Sequence, residues 1–325
     1  MDFLILGGTA WLGRRVAEIA RDRGHDVTCL ARGSEPAPEG VRFIRADRDD
    51  EDGLSGVRDR RWSAVVDVAR QPGQVRRAMR QLEAEHVVFV SSISVYTRND
   101  LPDRDESAPV HEPLAADELD DMSQYGPAKV ACERIVRETA SSSTVIRAGL
   151  IGGAGDHTGR TGYYPWRFAH PTGADVLVPP DDSYPVAMID AEDLAAWIVE
   201  VAERRVDGIF DATGPAVPLG EVLECARAVA GSSAPPRAAD PEALASEGVG
   251  FWMGPTTLPL WVGAPGWRYA TVADASAARS HGLTTRPLAQ TLAAALTFEE
   301  SRGGPRGAGL TDEEERRLRA ALSGQ

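Results

Sequence analysis

"FLILGGTAWLGRRVAEIARDRG", residues 3–24, decides the fold. Phe3 to Leu6 form a run of four apolar residues. Gly7 and Gly8 follow, and then Leu12, Val16, Ile19 and Ala20 recur at helical spacing among arginines. A run without polar alternation fits a strand buried on both faces, and the 3.6-residue period fits an amphipathic helix. Gly24 suits the helix's C-terminal cap. Strand, glycine turn and helix, in that order, open a parallel βαβ unit. Glycines in such a turn let backbone approach a pyrophosphate seated at the helix N-terminus. The candidate contacts are Gly7, Thr9, Ala10, Trp11, Leu12 and Gly13. Ala10 replaces the middle glycine of a Gly-x-x-Gly-x-x-Gly pattern, so a methyl group crowds the pyrophosphate there without excluding it. The alternative is a turn with no ligand.

The same alternation continues. Strands are expected at 26–31, 41–46, 64–69, 86–92 and 143–149, with helical patterns near 51–60 and 73–85 and over 123–140. Strands that are apolar throughout, alternating with helices, predict an α/β fold: a doubly wound, parallel Rossmann-type sheet covered on both faces. Its ligand crevice lies outside the carboxyl ends of the strands. The residues ending those strands are Gly7, Arg32, Asp47, Ala69 and Ser92. Residues 1–150 read as the dinucleotide-binding domain, with 187–215 rejoining it. Residues 151–186 and 216–325 read as a substrate-binding region and tail, in which Thr311 caps a last helix.

Composition narrows the partners. The net charge is −14, which repels phosphate backbones and anionic membranes. Three isolated cysteines without CxxC spacing fit a reducing compartment. No segment has the roughly 18 consecutive apolar residues that span a bilayer, and Met1-Asp2 leads directly into the first strand. A soluble cytoplasmic protein is the expectation. The six histidines show no metal-ligand spacing, so no metal is expected.

The stretch "YGPAK", 125–129, holds the only lysine; the other 34 basic residues are arginine. Tyr125 and Lys129 stand four residues apart on a helical stretch and share one face. An ammonium near a phenol favours the phenolate, which makes a tyrosine usable as a general acid or base. A compact ammonium also holds ribose hydroxyls in a way that the planar guanidinium fork does not. Ser92, in "VFVSSISVY", opens on the same crevice with a hydroxyl for a substrate carbonyl or alcohol; Ser91 is the alternative by one position. An acid at the end of the second strand would favour NAD through the ribose 2′-hydroxyl. That strand ends in Arg32, with Glu35 later, and a guanidinium suits a 2′-phosphate. NADP(H) is therefore favoured over NAD(H), unless Arg32 is only a solvated loop residue. Asp47 either accepts from the adenine amino group or forms a turn.

Together "GGTAWLG", "SSISVY", "YGPAK" and "IRAGLIGGAGD" resemble the extended short-chain dehydrogenase/reductase family, of the NAD-dependent epimerase/dehydratase type. The likeness runs from residue 1 to about 215. It implies Ser92, Tyr125 and Lys129 as the catalytic set, with the tyrosine carrying the proton while hydride passes between nicotinamide and substrate carbon. Two departures narrow the chemistry. Ile93-Ser94 stand where sugar-nucleotide dehydratases carry an Asp-Glu pair. Val186 stands where many members grip a diphosphate with arginine. A reductase or dehydrogenase of a small carbonyl or alcohol is thus favoured. A sugar-nucleotide epimerase, and a non-catalytic dinucleotide sensor or RNA-binding relative, are the alternatives. The family also allows a homodimer. Substrate-side candidates are Ser94, His157, Arg160, Tyr164 and Arg167; the aromatic-rich loop that supplies the last four equally describes core packing. Trp252, Trp261 and Trp267 are read either way.

Overall fold

The computed structural model describes residues 1–323. Seven parallel strands form the central sheet: β1 (Asp2–Leu6), β2 (Asp26–Ala31), β3 (Arg42–Arg45), β4 (Ala64–Asp67), β5 (Val87–Ser92), β6 (Ser143–Ala148) and β7 (Gly208–Ala212). Their order is β7-β6-β5-β4-β1-β2-β3. The direction of winding reverses between β1 and β4, which makes the crevice beside Gly7 the topological switch point.

Both sheet faces are buried, as the unbroken apolar runs require. Phe3 and Ile5 point into one core with Val16, Ala17 and Ala20 of α1 (Trp11–Asp22). Leu4 and Leu6 point into another, with Leu54, Val57 and Trp62. The face opposite α1 is covered by α2 (Pro72–Gln81) and α3 (Tyr125–Thr139), which pack on each other. A short helix, α4 (Tyr163–Ala169), belongs to the second half of the chain, while α5 (Ala191–Arg204) returns to lie against α1. Gly24 takes φ +84° just past α1, where its amide donates to Arg21 and that of His25 to Ala20.

Residues 51–60 are not a helix. They form successive turns in which Gly53, Ser55 and Val57 each donate to the carbonyl three residues back. Four consecutive acids, Asp49 to Asp52, and the paired Gly53 and Gly56 oppose a regular helix, although Leu54 and Val57 still reach the core. The stretch 187–215 divides between two sheets. Gly208–Ala212 pairs with β6 in the large one. Pro185–Asp190 instead joins a small sheet between Leu150–Gly152 and Ala216–Pro218. A second core, separate from the main sheet, gathers Tyr163, Tyr164, Phe168, Val186, Leu223, Leu258 and Leu292. Thr311 caps the helix Asp312–Ser323 reciprocally: its hydroxyl accepts from the Glu314 amide at 3.3 Å, and the Glu314 carboxylate accepts from its amide at 2.8 Å.

Cys29 and Cys132 are free and buried, and burial pushes both thiols up to about 12, far from a reactive thiolate. Among the described residues, no helix is long and apolar enough to cross a membrane, and no group of three or more His, Cys, Asp or Glu is placed to hold a metal ion.

Candidate active site

The glycine turn is shaped by close approach. Gly7 takes φ +91°, a conformation that disfavours side chains. A Cβ on Gly13 would lie 2.4 Å from the Gly7 carbonyl oxygen, so only glycine lets α1 start this near the end of β1. Ala10 precedes α1 with extended backbone and no side-chain cap, and its methyl group is exposed. The first amides of α1, from Trp11, Leu12 and Gly13, therefore have no side-chain acceptor. Donors of this kind, at the positive end of a helix beside a cradle that a Cβ would fill, fit a pyrophosphate. Thr9 and Leu12 carry their side chains into the protein.

A loop from the second half closes over this turn. Trp11 Nε1 donates to the Ala154 carbonyl at 2.7 Å, and a Cβ on Gly155 would meet the indole at 2.6 Å. His157 sits edge-on to Trp11, ring centroids 6.0 Å apart. His157, a substrate-side candidate by its loop composition, thus lies exposed beside the glycine turn.

β4 ends in Asp67, which is fully buried. Its carboxylate receives both terminal nitrogens of Arg48 at 2.7 Å and the amide of Ala69 at 2.9 Å. This ion pair was not anticipated; the signal for it was an acid inside the apolar run "AVVDVA". Bound this way, the turn after β4 aims the Ala69 carbonyl at Lys129. The Lys129 ammonium donates to the carbonyls of Ala69 and Val90 at 2.7 Å each, lies 4.8 Å from the Phe89 ring centroid, and is almost wholly buried. An ammonium has three N–H bonds. Two meet these carbonyls, and among the described residues no acceptor is placed on the third. The Tyr125 ring centroid is 5.8 Å from this nitrogen.

The two serines separate. Ser91 turns inward, donating to Glu133 of α3 at 2.5 Å. Ser92 is half-buried; its hydroxyl accepts from the Ser94 amide and donates to the Ser94 hydroxyl, both at 3.1 Å. Gly126 lets the first turn of α3 rest on the Ser94 carbonyl, since a Cβ there would come within 2.3 Å of that oxygen. Tyr125, half-buried, opens α3 beside this contact, one residue before Gly126. Behind Ser91, Glu133 pairs with Arg147 at 2.8 Å, Arg147 reaches the Tyr96 hydroxyl at 3.0 Å, and Tyr96 donates to Asp211. Burial pushes the Asp211 carboxyl up to about 7, with Glu106 adding to the rise.

The remaining candidates scatter. Arg32 is exposed past β2 and, among the described residues, forms no ion pair; Glu35 is exposed beyond it. Asp47 accepts from the Asp49 amide at 3.0 Å, as a turn-forming aspartate does. Ser94 is exposed at the crevice. Arg160 lies over the Trp252 ring, 4.8 Å from its centroid, while Trp261 packs edge-on against Phe251. Tyr164 and Arg167 leave the substrate side. Tyr164 has no exposed surface, and burial raises its phenol well above the usual value. Arg167 is buried against Asp312 at 2.7 Å and Glu315 at 3.0 Å, and fastens the C-terminal helix. Val186 is a residue of the second core, so no cation stands there. A separate cavity of about 320 Å³ near Asp190 and Arg286 contains none of Ser92, Tyr125 or Lys129.

No curated protein sequence matches the chain. Solved structures share its fold. The UDP-glucose 4-epimerase from Bifidobacterium longum, in complex with NAD+ and UDP, is 17% identical, with a TM-score of 0.67 over 94% of this chain and 100% of that one. The UDP-Glc/GlcNAc 4-epimerase from Campylobacter jejuni is 15% identical, with a TM-score of 0.68 over 92% and 99%. The UDP-N-acetylglucosamine 4-epimerase from Bacillus cereus is 18% identical, with a TM-score of 0.64 over 91% and 98%. The sequence pattern of one family matches residues 3–83 and 74–211, which contain the glycine turn, the strand-end serine and the Tyr–Lys pair. The chain belongs to the NAD dependent epimerase/dehydratase family.

Proposed function

We propose that this protein is an oxidoreductase that exchanges hydride between NADP(H), in preference to NAD(H), and a carbon bearing a hydroxyl or carbonyl group on a small molecule. The observation that carries the reading is the placement of Lys129. Burying an unpaired ammonium is costly, and here it is held on two strand-end carbonyls beneath Tyr125 with one N–H to spare. The glycine turn and the amides of α1 hold the pyrophosphate, Lys129 the nicotinamide ribose, and Arg32 the adenosine 2′-phosphate. Bound there, the nicotinamide supplies or accepts the hydride. Ser92 orients the substrate oxygen, and Tyr125 delivers its proton to that oxygen on reduction and removes it on oxidation. In this reading the sheet domain serves the dinucleotide, and 151–186 with 216–325 serve the substrate. Nucleic acid and anionic membranes are disfavoured as partners by the charge of −14.

A second reading has its own support. The family includes epimerases, and several solved structures with this fold are sugar-nucleotide 4-epimerases. Oxidation and re-reduction at one carbon would use the same three residues, with dinucleotide retained between the steps. The buried Val186 leaves a diphosphate without the cation expected at that position, which is why net oxidoreduction is preferred.

The test is a panel of aldehydes, ketones and secondary alcohols with NADPH or NADP+, alongside UDP-glucose and UDP-N-acetylglucosamine assayed for epimer formation. Net change in NADPH absorbance supports the first reading. Epimer formation without net change supports the second. In either case Tyr125→Phe lowers turnover by at least about 100-fold while dinucleotide still binds; retained turnover sinks the mechanism.

A further inference from the structure

The arginines that burial reaches are matched by acceptors. Arg48 is held by Asp67, Arg147 by Glu133, Arg167 by Asp312, and Arg104 by the carbonyls of Arg98 and Val272. Arg160 differs. Its Nε donates to Thr158 Oγ1 at 3.1 Å, and among the described residues its two terminal nitrogens meet no acceptor. Burial lowers the Arg160 value from the arginine norm, against the pull of Asp156 and of Tyr125. A half-buried guanidinium with its bidentate end unmatched suits a planar oxyanion.

The side chain is braced on both sides. Asp156 is 1% exposed, and its oxygens are used up by Thr158 and Thr161. Oδ1 accepts from the Thr158 amide and hydroxyl at 2.9 and 2.5 Å, and Oδ2 from those of Thr161 at 3.1 and 2.7 Å. Asp156 therefore fixes Thr158, which in turn orients Arg160. On the other side, Trp252 provides the stacking face at 4.8 Å. Trp252 takes φ +73°, a region that a bulky residue enters only at a cost, and Thr256 and Leu260 nearby do the same at +54° and +64°. The segment is pinned by Thr257, whose hydroxyl donates to the Gly254 carbonyl at 2.7 Å and accepts from the Gly309 amide at 3.2 Å. The loop that carries Arg160 is also the one tied to the glycine turn, through the Trp11 indole on the Ala154 carbonyl at 2.7 Å.

We propose that Arg160, stacked on Trp252 and braced through Thr158 by Asp156, receives an oxyanion of the substrate. Given the proposed hydride-transfer function, on which this rests, the substrates are small hydroxy or oxo compounds bearing a carboxylate or phosphate near the reacting carbon. Arg167 is tied to Asp312 and Val186 is apolar, so neither competes for this role.

The experiment is calorimetric titration of the full-length protein, saturated with NADP+, with malonate, with inorganic phosphate, and with neutral malonamide. One or both anions bind and malonamide does not; the tighter anion names the group recognised. Arg160→Gln weakens anion binding at least tenfold. Arg160→Lys, which keeps the charge and loses the fork, gives an intermediate loss, and Trp252→Leu weakens binding several-fold. NADP+ affinity and melting temperature show that each variant is folded, with NADP+ affinity within about twofold of the parent. Equal binding of malonate and malonamide, or unchanged anion binding in Arg160→Gln, overturns the inference. Should NADP+ fail to bind, the titration is repeated on protein saturated with NAD+; should neither dinucleotide bind, the hydride-transfer reading falls, and the same titration of the dinucleotide-free protein then decides the oxyanion site by the same criteria.

Discussion

The ammonium nitrogen of Lys129 lies 2.7 Å from the carbonyl oxygen of Ala69. It is the only lysine in the chain, and its place is too confined for the residue used everywhere else. Lys129→Arg forces a planar fork between the Phe89 ring and two carbonyls; Lys129→Met leaves both carbonyls without a donor. Both variants lose turnover by at least about 100-fold. The methionine variant also loses about 1–3 kcal/mol of stability, read by urea unfolding. Arginine retaining near-parental turnover would contradict this assignment.

Asp67 and Arg48 form a buried bidentate pair that also holds the Ala69 amide. Removing one partner leaves a buried charge, so Asp67→Asn costs about 3–5 kcal/mol. Because the same carboxylate aims the carbonyl that receives Lys129, dinucleotide affinity falls as well. Denaturant midpoints and calorimetry on the same sample measure the two effects.

Ser91 and Ser92 have different duties although they are neighbours. Ser92→Ala lowers turnover at least tenfold and leaves the unfolding midpoint nearly unchanged. Ser91→Ala removes a hydrogen bond to the buried Glu133, costs about 1.5–3 kcal/mol, and leaves turnover within a few-fold of the parent. The reversed pattern would move the catalytic hydroxyl to Ser91.

Arg32 is exposed past β2 and, among the described residues, forms no ion pair; the proposed reading gives it the adenosine 2′-phosphate. Arg32→Ala weakens NADPH binding by about tenfold and leaves NADH binding within about twofold, the loss expected of a charge-assisted hydrogen bond. Equal losses for the two dinucleotides would remove the basis for NADP(H) preference.

Two buried groups make opposite contributions to acid stability. Burial pulls the His86 imidazole down to about 4 and pushes the Asp211 carboxyl up to about 7. The unfolded values are about 6.5 and 3.9. As pH falls from about 6.5 towards 4, the unfolded chain takes up a proton that native His86 refuses, and stability is lost. As pH falls from about 7 towards 4, native Asp211 keeps a proton that the unfolded chain has released, and stability is gained. The slopes oppose each other at up to about 1.4 kcal/mol per pH unit each. Asp211→Asn therefore uncovers the acid loss due to His86, and His86→Gln uncovers the gain due to Asp211. Urea midpoints at several pH values between 4.5 and 7.5 measure both; superimposable profiles for the two variants would contradict the assignment.

The sheet was legible because parallel strands buried on both faces write continuous apolar runs, and the glycine turn and "YGPAK" are local patterns. The segment 51–60 misled because Leu54 and Val57 sit at helical spacing within a run that its acids and glycines keep in turns. For Tyr164 and Arg167 the sequence leaves pocket wall and core packing equally open. Aromatic and cationic residues in a glycine-rich loop have the same composition in a pocket wall and in a second core, and the Asp312 partner lies 145 residues away. The Arg48–Asp67 pair spans 19 residues with no periodicity to mark it. Arg160 was visible as a residue type, but its brace was not, because Trp252 reaches it from a segment without a strong secondary-structure pattern.

The most direct test of the central claim is calorimetric titration of nucleotide-free protein with NADPH and then NADH. The account predicts one site per chain, tighter for NADPH, and lost when Gly13→Val drives a side chain into the Gly7 carbonyl. If neither dinucleotide binds the parental protein, the glycine turn serves no cofactor, and the assignment of Tyr125 and Lys129 to hydride chemistry is contradicted.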